Sequence, residues 1–227
     1  MMHAFVFLAL VPAAGNGEDL FKKMESTVLK AKTMEMSFDI SIEGGPVKKL
    51  EGSLAHMTGK KARMELNGEF NGKSSNMVMV ADGTKMRTNN PGGKGMAQDI
   101  PEGLDEMFRA IVSRGGVVLP LFAGEAIREG EQPKEFKIDE KLPVSDFRLG
   151  KSEKVGDRET QVLEYKLTIK GAKEAFAVTV WLDSKTNLPI KRVISGDMGD
   201  KKITITEDYS KLTLDGKLDE SKFMLPK

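Results

Sequence analysis

Imidazole and thiolate chemistry have little to work with in this chain. Its 227 residues include two histidines, His3 and His56, and no cysteine. Disulfides, thiolate nucleophiles and Cys-based zinc or iron–sulfur ligation are excluded together, and two histidines leave little for a metal cluster or a His-based triad. No cofactor is expected. The stretch Gly68–Ser74 (GEFNGKS) ends like a phosphate loop, but three residues separate its glycines where that motif needs four. It lies between strand patterns and reads as a hairpin turn. No Gly-x-Ser-x-Gly, His-Glu-x-x-His or dinucleotide fingerprint is present. The run Asp197–Asp200 lacks calcium-loop spacing and also reads as a turn.

Carboxylates are plentiful: 34 Asp and Glu face 35 Lys and Arg, for a net charge of +1. Many acid pairs can meet in space, but a solvated surface of mixed sign is their ordinary setting. His56, near the end of a strand, reads as a surface or edge residue rather than a general base. The pairs Lys60-Lys61 and Lys201-Lys202 sit at turns, as gatekeepers of strand edges do. Dispersed basic residues and few aromatics exclude nucleic acid as a partner. Balanced charge exerts no long-range pull on anionic membrane. Catalysis on this inventory is not expected.

What remains is apolar chemistry. The chain has 14 Met against two Tyr and one Trp. Methionine is flexible and polarisable, and suits adaptable binding surfaces as well as cores. The elements that must position these side chains follow from periodicity. Glu18 to Lys32 carries Leu20, Met24 and Val28 at four-residue spacing, an amphipathic helix with acids first and lysines last. The period then drops to two: Met34, Met36, Phe38, Ile40 and Ile42 alternate with polar residues, a strand with one wet and one dry face. Strands follow over 47–56, 61–67 and 69–80. Met77 to Val80 is apolar on both sides and predicts cover on both faces. Asp82-Gly83 turns the chain into 84–88.

The middle of the chain is helical. Leu104, Met107, Phe108, Ile111 and Val112 form a wide apolar stripe that Gly115 and Gly116 stop. The very apolar segment 117–122, broken by Pro120, leads to a short helix through 126–128. From Val144 onward only strands appear, over 147–155, 161–169, 175–183, 189–195 and 202–208. About ten strands at this spacing imply a sandwich or barrel, with a helical block embedded between two strand groups. Nothing marks a linker, so residues 18–227 read as one domain.

Residues 4–14 (AFVFLALVPAA) are too short to span a bilayer and match the apolar core of a secretory signal, with a small-residue cleavage site after Ala13. The leader is assigned to 1–13, extending at most to 17. No cysteine follows it, so the mature protein is not itself lipidated. Export to the periplasm is expected.

A Met-rich dry sheet face with helices laid on it can be a close-packed core. It can also be a curved sheet that leaves a crevice for acyl chains. Three segments carry a resemblance that bears on this choice. Met77–Thr88 (MVMVADGTKMRT) is similar to the strand–Asp-Gly–strand hairpin of the bacterial periplasmic lipoprotein-carrier superfamily, the Lol-type carriers and their relatives. Trp181–Arg192 (WLDSKTNLPIKR) resembles that superfamily's second signature, and Leu218–Phe223 followed by Pro226 resembles its terminal pattern. Pro101–Phe108 with 116–121, and Val144–Gly150 with 156 and 162–167, resemble a branch of predicted periplasmic and outer-membrane lipoprotein-sorting proteins.

The resemblance implies a mainly β (α+β) fold. A single strongly curved antiparallel sheet would form an open, incomplete β-barrel, with an N-terminal helix and a central helical lid. It implies an exported, monomeric, non-enzymatic protein that holds a lipid or lipoprotein acyl chain in an apolar concavity, in lipoprotein sorting across the periplasm. The alternative is a structural or envelope-stress sensory module with a packed cavity and an envelope protein partner. Each CH₂ removed from water contributes about 0.8 kcal/mol, enough for a fatty chain to bind without polar contacts. The expected lining is Met34, Met36, Phe38, Met64, Leu66, Met77, Met79 and Trp181. The expected lid is Leu104, Met107, Phe108, Ile111, Leu119, Leu121 and Phe122.

Overall fold

The computed structural model describes residues 16–45, 47–70, 73–90, 93–117, 137–169 and 174–225. Helix α1 (Gly17–Lys30) opens on Asn16, whose side chain accepts the Glu18 N–H at 3.2 Å. Glu18 and Asp19 complement the helix dipole at its start and Lys30 at its end. The helix buries Phe21, Met24 and Val28 and stops where Ala31 turns extended.

Among the described residues, thirteen antiparallel strands then build one sheet. The first group is β1 (Thr33–Glu43), β2 (Val47–Met57), β3 (Lys61–Phe70), β4 (Lys73–Asp82) and β5 (Lys85–Asn90), with the short β6 (Gly93–Lys94) and β7 (Gln98–Asp99) at its rim. After the helical block come β8 (Val144–Leu149), β9 (Glu153–Val155), β10 (Arg158–Leu167), β11 (Phe176–Asp183), β12 (Pro189–Met198) and β13 (Lys201–Leu214). Each group is a meander. They join because the last strand returns to the first: β13 pairs with β1, giving the order β6-β5-β4-β3-β2-β1-β13-β12-β11-β10-β8. A register shift at Ser37/Phe38 in the β1–β13 ladder puts a bend at this join. The two end strands, β6 and β8, do not pair with each other among the described residues, so the barrel is open.

Alternation assigns the faces. In β1, Met34, Met36, Phe38, Ile40 and Ile42 are buried, and the residues between them are exposed or half-buried. In β11, Phe176, Val178, Val180 and Leu182 are buried. These inner faces form one core cluster with α1 and the helical block.

The expected double cover of β4 is present. Met79 and Ala81 join the main core, while Val80 is completely buried on the other side. A 3₁₀ turn (Glu220–Phe223) packs there over β3 and β4, with Phe223 buried and the Arg63 guanidinium donating to the Lys222 carbonyl. Lys222 and Lys211 both reach Glu35, strapping the C-terminal segment to the outer face.

Three expectations need correction. The single strand expected over 69–80 is two strands, because β3 and β4 form a hairpin in which Phe70 opposes Lys73. The strand expected over 147–155 divides into β8 and β9, which pair with different parts of β10. The count rises to thirteen because two- and three-residue strands leave too short a pattern to read. The segments 1–13 and 126–128 lie outside the described residues.

Candidate functional site

The helical block lies against the inner face of the sheet. Helix α2 (Leu104–Ala110) runs straight into a π-helical turn (Ile111–Gly115), a local widening that is frequent at functional sites. Leu104, Phe108, Ile111 and Val112 of the expected stripe are buried against the sheet, and Met107 is half-buried. This apolar contact does not hold the block alone. Buried polar side chains tie its backbone to the sheet.

Arg192 projects inward from β12 between Ile190 and Ile194 and is 0% exposed. Its Nη2 donates to the Val112 carbonyl at 2.8 Å and the Ser113 carbonyl at 3.4 Å. Its Nη1 reaches the Ile111 carbonyl at 3.4 Å and the Tyr209 hydroxyl at 3.0 Å. Those carbonyls end a helix and would otherwise lack partners. The Tyr209 hydroxyl donates to Glu207, the register partner of Arg192 on β13, also 0% exposed. Glu207 in turn accepts the Val117 N–H at 2.8 Å. Gly116 permits that approach. It sits at φ 68°, and a Cβ there would lie 2.5 Å from a Glu207 carboxylate oxygen.

Burial pulls the Arg192 pKa down, but Tyr209, Tyr165 and Glu207 outweigh it, so the guanidinium is held more firmly charged than usual. Burial pushes the Tyr209 hydroxyl well above its ordinary value despite the facing Arg192, which keeps it a donor.

A second arginine fastens the block sideways. Arg114, at the end of the π turn, donates to Glu25 of α1 at 2.5 Å, to the Leu142 carbonyl at 2.9 Å and to Asp139 at 2.6 Å. Asp139 belongs to α3 (Ile138–Lys141). The Arg114 carbonyl accepts the Tyr165 hydroxyl at 2.6 Å. Nearer the start of α2, Asp105 meets His56 of β2, with 2.9 Å between Oδ1 and Nε2.

Met34, Met36, Phe38, Met64, Leu66 and Met79 are buried in one cluster with Leu104, Phe108 and Ile111, and Met77 packs half-buried against it. Leu119, Leu121 and Phe122 lie outside the described residues. Trp181 does not join the others. Strand alternation gives the inner face of β11 to Val180 and Leu182, so Trp181 points outward, donates to Glu153 and carries Lys191 over its ring at 5.2 Å. The expectation for His56 is also corrected: it is 1% exposed, under α2.

The lining residues touch one another and the block. A groove of about 460 Å³ lies on the opposite, polar face, lined by Asp39, Glu51, Asn67, Glu69 and Asp208 among others. Arg192, Glu207 and Tyr209 were not singled out by sequence reasoning. Their signal was parity: Ile190, Arg192 and Ile194 share a face, as do Ile203, Ile205, Glu207 and Tyr209. A charge in a dry register flags a buried polar tie.

No protein-family model matches the chain, and no characterised protein matches it by sequence. Solved structures do. The lipoprotein LppX of Mycobacterium tuberculosis superposes with TM-score 0.51 at 12% identity, over 89% of this chain and 97% of its own. LprF from Mycobacterium bovis superposes with TM-score 0.50 at 10% identity, over 89% and 94%. A LolA superfamily protein from Nitrosomonas europaea matches with TM-score 0.36 at 10% identity, over 93% and 99%. The chain shares the fold of LppX and LprF, an open antiparallel barrel with helices on its inner face. In this version of that fold, the helical block on the inner face of the sheet is held by polar ties from β12 and β13 as well as by apolar packing.

Proposed function

We propose that the chain is an exported, non-enzymatic binding protein that holds a lipid or acylated ligand between its inner sheet face and the helical block, in lipoprotein sorting across the periplasm. One observation carries this reading. The block covers a Met-rich inner face and is fastened there by discrete polar ties, from Arg192, Glu207, Tyr165, Arg114 and Asp105, so it can lift when those bonds are exchanged. Lifting it would uncover Met34, Met36, Phe38, Met64, Leu66, Met77 and Met79 for an acyl chain, with Leu104, Met107, Phe108, Ile111, Leu119, Leu121 and Phe122 repacking on top. A small population of the open state is enough for ligand entry.

Native mass spectrometry of protein purified from a bacterial envelope tests it, with co-purifying lipid as the expected result. Delipidated protein that fails to bind the fluorescent fatty acid cis-parinaric acid would overturn it.

The packing of the inner face favours a second reading. Met34, Met36, Phe38 and Phe108 are each almost fully buried against protein, as in a closed module that works through an envelope protein partner. Absence of both lipid and probe binding, with specific capture of one envelope protein, would decide for it.

A further inference from the structure

The two ends of the helical block are anchored by groups that differ in kind. Arg192, at the π turn, keeps its charge at any physiological pH. At the other end α2 begins on Gly103, which offers no side-chain cap. Asp105 instead turns its carboxylate toward the β2–β3 hairpin. Oδ1 takes the Lys60 N–H at 3.0 Å and His56 Nε2 at 2.9 Å, and Oδ2 takes the Gly59 N–H at 3.1 Å.

His56 stands on the inner face between Met34 of β1 and Ala62 of β3, neither of them charged. The Phe108 ring centroid is 5.8 Å from its own. The charged groups that face it come from α2: Asp105, then Arg109 and Glu106. Burial outweighs the attraction of Asp105 and holds the imidazole pKa below its ordinary 6.5, with Arg109 pushing the same way. The neutral ring therefore donates Nε2–H to Asp105. A proton added to His56 places a charge on a ring that is 1% exposed and packed against Phe108, where burial costs more than Asp105 returns. Swinging the α2 end away lets water reach the ring and removes that penalty.

The geometry points to a proton-sensitive hinge: protonation of His56 frees the Asp105 end of the helical block while Arg192 keeps the other end bound, so acid opens the binding face from one side. This regulation rests on the lid reading of the block given above.

Amide hydrogen exchange on the full chain tests the hinge without any ligand. Between about pH 7 and about pH 5, the protection factors of residues 104–110 are expected to fall several-fold, with a ceiling of about 25-fold set by an ordinary imidazole pKa in the open state, while those of β12 hold. In His56→Gln, whose amide N–H can still reach Asp105 but does not titrate, the fall should disappear. Asp105→Asn serves as a second variant. It removes the carboxylate that accepts the hairpin N–H groups and should leave α2 poorly protected at both pH values. An equal fall in His56→Gln, or none in the wild type, overturns the hinge. The rate of cis-parinaric acid binding, measured in parallel, should rise on acidification in the wild type alone. Exchange that behaves as expected with no probe binding at any pH would sink the binding reading and leave the hinge standing.

Discussion

The Arg192 guanidinium donates to the Tyr209 hydroxyl at 3.0 Å in a place where neither side chain meets solvent. Tyr209 passes the polarity on to Glu207, and Arg192 and Glu207 each end on the backbone of the helical block. The opposite charges of Arg192 and Glu207 face each other as register partners on β12 and β13, so the sheet carries a balanced polar pair into its own dry side. Such a pair is expensive to bury, and leaving one member without the other is more so. This fixes where the block can sit.

Arg192→Met should therefore destabilise the protein by about 3–5 kcal/mol, because three carbonyls of the block lose their donor and buried Glu207 loses the charge opposite it. Adding Glu207→Gln should recover part of the loss, with a coupling of at least about 1 kcal/mol. Urea unfolding of the four proteins in the cycle measures both. Strict additivity would mean that the two do not act as a pair.

Gly116→Ala should cost about 1–3 kcal/mol for the backbone alone, because φ 68° with ψ 178° is a conformation essentially confined to glycine. The new methyl also meets the Glu207 carboxylate and pushes the end of the block off its acceptor. Faster exchange of the Val117 amide is the specific signature, and an unchanged amide would show that the approach at Gly116 is not tight.

Phe108→Ala removes a fully buried ring beneath α2 and should cost about 3–5 kcal/mol by urea unfolding. A loss below about 1 kcal/mol would mean that the inner face collapses readily into the gap.

Trp181 faces outward, so its emission should stay constant when cis-parinaric acid enters the inner face, apart from energy transfer to the probe. Glu153→Gln should change the emission by altering the acceptor of the indole N–H. A shift in Trp181 emission with a non-fluorescent fatty acid would contradict this placement.

Hydrogen bonds from Lys211 and Lys222 hold the Glu35 carboxyl below its ordinary 4.5. Its stabilising contribution is present above that value and is lost as pH falls through the lowered one. Glu35→Gln should cost at most about 1 kcal/mol near neutrality, since the pair is partly solvated. The difference between wild type and variant should vanish in acid, as read from unfolding midpoints and from exchange of residues 216–225.

Much of this fold is legible in local pattern. Strict alternation in 34–42 sets the faces of β1, four-residue spacing sets α1, and the doubly apolar 77–80 announces cover on both sides of β4. Each depends on side chains a few residues apart, and periodicity records those directly. The absence of cysteine and the shortage of histidine exclude whole classes of chemistry for the same reason: composition needs no geometry. Tertiary structure alone decided what lies across the chain. His56 becomes buried because α2, some 50 residues later, lies over it and brings Asp105. Trp181 is the exception, since its outward direction follows from the local alternation of β11, in which Val180 and Leu182 take the inner face. Arg192, Tyr209 and Glu207 become a tie to residues 111–117 only when β12 and β13 pass beneath the block. The polar ties among them join segments about 50 to 90 residues apart, and the free energy that selects them is the need to pair buried charged and hydrogen-bonding groups once the apolar faces close.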